Sequence, residues 1–204
     1  MTPRGGPRTV RVAAGLASVV ALAGLLGGCG EESPSWGAVD TDTCGELDLT
    51  GLVGDAYPSL PAAEASADET SDGGSRGAVC LARADTPDGG RLVVQVELSS
   101  RSDGGKNSLY DLRDGGQVGL DGTIHEVDPS PVEGWWQEGV SVVATTSDTA
   151  PASASVGLTV RDRNLVVAVR VSDKRAGGAS ADVEADRDLA DAILDAVPDV
   201  VPQT

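Results

Sequence analysis

The chain has 204 residues, a net charge of −17 at pH 7, no phenylalanine, two tyrosines, three tryptophans and one histidine. With lysine only at Lys106 and Lys174, it is a poor nucleic-acid ligand, because little positive charge is present to release counterions from phosphate. The same acidity repels anionic headgroups, so a hold on a membrane has to come from something other than charge.

The first stretch supplies one. Arg4, Arg8 and Arg11 open the chain without an acid among them. From Val12 to Leu26 every residue is apolar, Gly or Ser, the length of a signal-peptide core and short for a hydrocarbon span of ~30 Å. Leu25-Leu26-Gly27-Gly28-Cys29 then resembles the bacterial lipobox, in which a cysteine thiol is alkylated by diacylglycerol. The expectation is a signal peptide over 1–28 and a lipid on Cys29, with the membrane as a partner through that lipid. This puts the protein on the outer face of the cytoplasmic membrane. Removing 1–28 takes away three arginines and no acid, so the remainder is more acidic still.

With Cys29 acylated, Cys44 and Cys80 are left as a pair in an oxidising compartment. A bridge between them stabilises by ~3–4 kcal/mol on chain-entropy grounds; the alternative is two reduced thiols. Two lone cysteines without a CxxC pair or a nearby histidine are not a zinc site, and neither a metal nor a cofactor is expected.

In chain order, residues 29–43 read as a polar, flexible tether in which Trp36 is out of place. A single domain is expected over 44–204. Leu47, Leu49, Leu52 and Val53 suit a short helix or an extended edge segment. Residues 61–76 are small and acidic with no large apolar side chain, which reads as a mobile loop. Strands follow at 78–84 and 92–99, joined through Asp85-Thr86-Pro87-Asp88-Gly89-Gly90. In the second, Leu92, Val94, Val96 and Leu98 share one face. Residues 101–139 are glycine-rich, with a short helix at 108–113 and a strand at 122–127 as the readings available. Strands at 140–146, 155–160 and 165–171 come next, the last two joined by a tight hairpin at 161–164. A helix from about Asp182 to Val197, capped by Ser180 or Asp182 and ended by Pro198, closes the chain. Leu189, Ala190, Ile193 and Val197 fall on its apolar face, and Glu184, Asp188, Asp191 and Asp195 on the opposite one. The fold class is α+β: an antiparallel sheet with a C-terminal helix packed on it.

The lipobox, the tether, Cys44-Gly45-Glu46-Leu47 opening the domain, a second cysteine in the first strand and a closing Leu-Ala-x-x-Ile-Leu helix resemble small actinobacterial lipoproteins of the domain-of-unknown-function 3558 type. That resemblance implies a sheet flanked by helices and brings no activity with it.

No catalytic constellation stands out. His125, in Thr123-Ile124-His125-Glu126, lacks any nucleophile or orienting group that spacing can identify, so an envelope hydrolase with a site near His125 is the alternative rather than the main reading. The recurring Asp-Gly steps suit turns that need positive φ, since no calcium-loop spacing accompanies them. Glu133-Gly134-Trp135-Trp136-Gln137 is the candidate ligand surface: in extended backbone the two rings point opposite ways, one into the core and one toward a sugar, peptide or apolar ligand. The expected protein is not an enzyme but a binding or interaction module of the cell envelope, its ligand or partner protein unknown.

Overall fold

The computed structural model describes residues 35–72, 75–101, 125–147 and 150–204. The signal segment, Cys29 and the expected helix at 108–113 lie outside the described residues. Two short helices open the fold, α1 (Thr41–Glu46) and α2 (Leu49–Ala56). Among the described residues seven strands then follow: β1 (Glu64–Asp72), β2 (Ser75–Asp85), β3 (Arg91–Arg101), β4 (His125–Pro131), β5 (Glu138–Thr145), β6 (Ser153–Asp162) and β7 (Leu165–Lys174). Helix α3 (Val183–Val200) closes the chain.

The strands form one sheet in the order β1-β2-β3-β7-β6-β5-β4, every neighbouring pair antiparallel. Two meanders, β1–β3 and β4–β7, meet where β3 pairs with β7. The architecture is α+β, with the C-terminal helix packed on an antiparallel sheet. The alternation in β3 is why: Val94, Val96 and Leu98 stand opposite Val171, Val169 and Val167, and that row continues through Val156, Leu158 and Val160 of β6. The ridge of α3 built by Leu189, Ala190, Ile193 and Val197 buries against it. A ridge of this kind stabilises through removal of apolar area from water, about 1.5–3 kcal/mol per large side chain.

Cys80 of β2 lies in the same row of the sheet as Val96 and is bonded to Cys44 of α1, with the two Cα atoms 5.3 Å apart. The first helices therefore cover the same face as α3. Asp40 caps α1 by accepting from the backbone N–H groups of Asp42 and Thr43, and Asp48 caps α2 at a positive φ of 43°.

Three sequence expectations need correction. Residues 35–43 do not belong to a tether: Trp36 is 4 % exposed, Val39 is buried, and the domain begins ahead of Cys44. Within the stretch expected to be a mobile loop, residues 64–72 form a strand instead, because β1 pairs with β2 over nine consecutive positions. A ladder of main-chain hydrogen bonds needs no large side chain, so small and acidic residues sustain an edge strand. Pro198 does not end the last helix, which continues to Val200.

Candidate functional site

All three tryptophans come together at one end of the sheet. Trp36 is fixed first. Its backbone N–H donates to Asn164 Oδ1 at 2.7 Å, its carbonyl accepts from Asn164 Nδ2 at 2.9 Å, and its indole N–H donates to Asp162 Oδ2 at 2.8 Å. Asn164 belongs to the two-residue β6–β7 hairpin, whose other residue, Arg163, takes a positive φ of 55°. From there Arg163 pairs with Asp162 at 2.7 Å and sets its guanidinium 5.4 Å from the centre of the Trp36 ring. The flanking backbone pairs with the other end of the domain: Gly37 N donates to Pro202 O, and Ser35 and Thr204 exchange N–H···O bonds in both directions.

Trp135 packs on Trp36 with ring centres 5.2 Å apart and a tilt of 60°, and meets Trp136 edge-on at 5.5 Å. Its indole N–H donates to the carbonyl of Leu194 in α3 at 3.1 Å. Trp136 instead bonds its own loop, donating to Val132 O at 3.0 Å. Room for its ring is made by two glycines: a Cβ on Gly134 would stand 2.3 Å from the ring, and one on Gly139 2.5 Å from Nε1.

The expected split of one buried and one open ring is therefore corrected. Both rings are half-buried, since Gly134–Gln137 is a series of bends rather than extended backbone, and adjacent side chains are not forced to opposite faces. What they offer jointly is a tilted aromatic surface with both N–H groups already satisfied, suited to apolar or stacking contact. Exposed Glu133, Gln137 and Glu138 border it.

A second polar cluster lies sealed beneath the N-terminus of α3. Tyr57, the residue closing α2, donates its hydroxyl to Asp186 Oδ1 at 2.6 Å. Asp186 Oδ2 is buried without a hydrogen-bond partner. Burial pushes the Asp186 carboxyl up to about 7, and the nearby Asp173 charge adds to the rise; the Tyr57 hydrogen bond and Arg175 act against it. Burial also pushes the Tyr57 hydroxyl up, and the Asp186 charge adds to that. Asp173, fully buried, takes both of its oxygens to Arg175 Nε at 2.6 and 2.8 Å, and Arg175 sits 5.9 Å from the Tyr57 ring. With Asp173 and Asp186 both at zero exposure, this cluster presents no surface to a substrate.

Cys44 and Cys80 are joined, as the cysteine arithmetic requires. His125 opens the edge strand β4, where its backbone pairs with Thr145, whereas Trp135 and Trp136 lie in the bend between β4 and β5 and Asp186 on α3. Sequence reasoning missed Trp36, Asp162 and Leu194 as members of the tryptophan site, and Tyr57, Asp173 and Asp186 as a unit. For Asp186 a signal existed: it stands three and four residues before Leu189 and Ala190, on the apolar face of the helix. No protein-family model matches the chain, and no curated protein does.

Proposed function

We propose that the protein is a lipoprotein, anchored through Cys29 on the outer face of the cytoplasmic membrane, whose domain is a non-enzymatic binding module of the envelope. The observation that carries this reading is the Cys44–Cys80 bridge. It suits an oxidising compartment and leaves Cys29 as the odd cysteine of three, directly after a signal-like apolar run. The tilted surface of Trp135 and Trp136 supports the binding role, because half-exposed rings with satisfied N–H groups are adapted to contact rather than to chemistry.

Fractionation and intact mass of the full chain and of Cys29→Ser, expressed in an actinobacterial host, test the proposal. The wild-type protein is expected in the membrane fraction with the mass of a diacylglycerol adduct, and Cys29→Ser in the soluble fraction. Equal membrane retention of both, with no lipid mass on either, overturns it.

A further inference from the structure

The two edges of the sheet are treated differently. β4 carries Pro129 and Pro131 and a register shift between Val127 and Ser130, so one edge is interrupted by missing donors and a bulge. β1 carries no proline, glycine or bulge. It runs in register with β2 from Glu64↔Arg83 to Asp72↔Ser75, and residues 64–71 are exposed. Among the described residues nothing pairs with its other side, toward which alternate residues direct their N–H and C=O groups. A regular edge of nine residues is a template for another strand unless something restricts what it accepts.

Charge is the restriction here. Glu64, Asp68, Glu69 and Asp72 are the only charged residues of β1. Two copies paired antiparallel about Asp68 would set Asp68 against Asp68 and Glu64 against Asp72, like charges directly opposed. Self-pairing is thereby penalised, whereas a strand bearing lysine or arginine gains at each of those positions. Two hollows flank the strand, one of about 290 Å³ lined by Thr41, Asp48, Ala65 and Ala67, the other, of about 470 Å³, by Asp40, Glu69, Ser71 and Arg76. Asp40 and Asp48 are engaged in capping α1 and α2, so the carboxylates available for selection are those of β1 itself.

We propose that β1 is a docking edge for an extended, cationic segment of a partner protein, which adds to the sheet beside β1. Main-chain hydrogen bonds supply the affinity, and the carboxylates of β1 select basic side chains. This surface is separate from the tryptophan pair and does not depend on a lipid at Cys29.

The test uses the full chain in detergent and a labelled nine-residue peptide of alternating lysine and valine, followed by fluorescence anisotropy. Binding is expected, with slowed amide exchange in residues 64–72. Affinity should fall about tenfold or more in Asp68→Lys, and by a similar factor when alternate peptide nitrogens are methylated so that main-chain pairing is blocked. Thermal unfolding of Asp68→Lys checks that this exposed substitution keeps the fold. Equal binding of the methylated peptide would reduce the effect to unspecific attraction by an acidic protein and overturn the proposal. So would absence of binding, or sedimentation showing a dimer that Asp68→Lys strengthens or dissolves.

Discussion

The indole N–H of Trp135 donates to the carbonyl of Leu194 at 3.1 Å, and Leu194 is the residue four before Pro198. In a regular helix that carbonyl accepts from the N–H at position 198, which proline does not have. The tryptophan replaces the missing donor, and the helix continues past its proline.

A double-mutant cycle follows from this. Trp135→Phe leaves the carbonyl of a buried residue without a donor and should cost about 1–3 kcal/mol. In a Pro198→Ala background the helix supplies its own N–H, and the same substitution should cost less, with a coupling of about 0.5–3 kcal/mol from urea unfolding. Strict additivity would show that the indole bond does not stand in for the proline.

Gly139→Ala should displace the Trp136 ring, since the new Cβ would fall 2.5 Å from Nε1. Emission should shift to longer wavelength and acrylamide quenching should rise, with a stability loss of about 1–3 kcal/mol. An unchanged spectrum would mean that the ring does not rest on this glycine.

The Asp186 carboxyl, pushed up to about 7, binds its proton more tightly folded than unfolded, where the ordinary value is about 3.9. Its contribution to stability is therefore full in acid and is lost as pH rises through 7, by up to about 1.4 kcal/mol per pH unit. The groups facing it are Tyr57 just after α2, Asp173 of β7, Arg175 just after β7, and Asp182 at the start of α3. Asp186→Asn keeps an acceptor for Tyr57 and removes the charge. The stability of the variant relative to wild type should rise between pH 4 and 7, measured as urea midpoints. A difference independent of pH would place the titration elsewhere.

Trp36→Ala should cost about 3–5 kcal/mol, as truncation of large buried aromatics does, and should expose residues 35–40 to protease. Trp36→Phe should cost less, because it keeps the apolar ring and loses only the bond to Asp162. Survival of full stability in Trp36→Ala would return this segment to a tether.

What was legible in the sequence was whatever repeats. Leu92, Val94, Val96 and Leu98 announce β3 by alternation, and Leu189, Ala190, Ile193 and Val197 announce α3 by helical spacing. β1 was illegible because an edge strand held by main-chain bonds leaves no apolar rhythm. Trp36 was illegible because Asp162 and Asn164, the residues that bury it, lie 126 and 128 positions away. The continuation of α3 was hidden by a sound rule about proline, whose exception depends on Trp135, a residue from another part of the chain. The bridge was legible because cysteines are few enough to count.

The position of that bridge also decides how the domain bears force. A load applied at Ser35 first meets the exchange of hydrogen bonds with Thr204 and then the seat of Trp36, both of which yield one bond at a time. Once these have peeled away, tension reaches Cys44 and passes through the covalent link into Cys80, in the second strand of the sheet. Helix α2, strand β1 and everything else between the two cysteines stay out of the load path. A stretching experiment on the oxidised protein should therefore show an early, low-force release of the first residues and then an abrupt stiffening. After reduction the same pull should run on into α2 and β1 at low force.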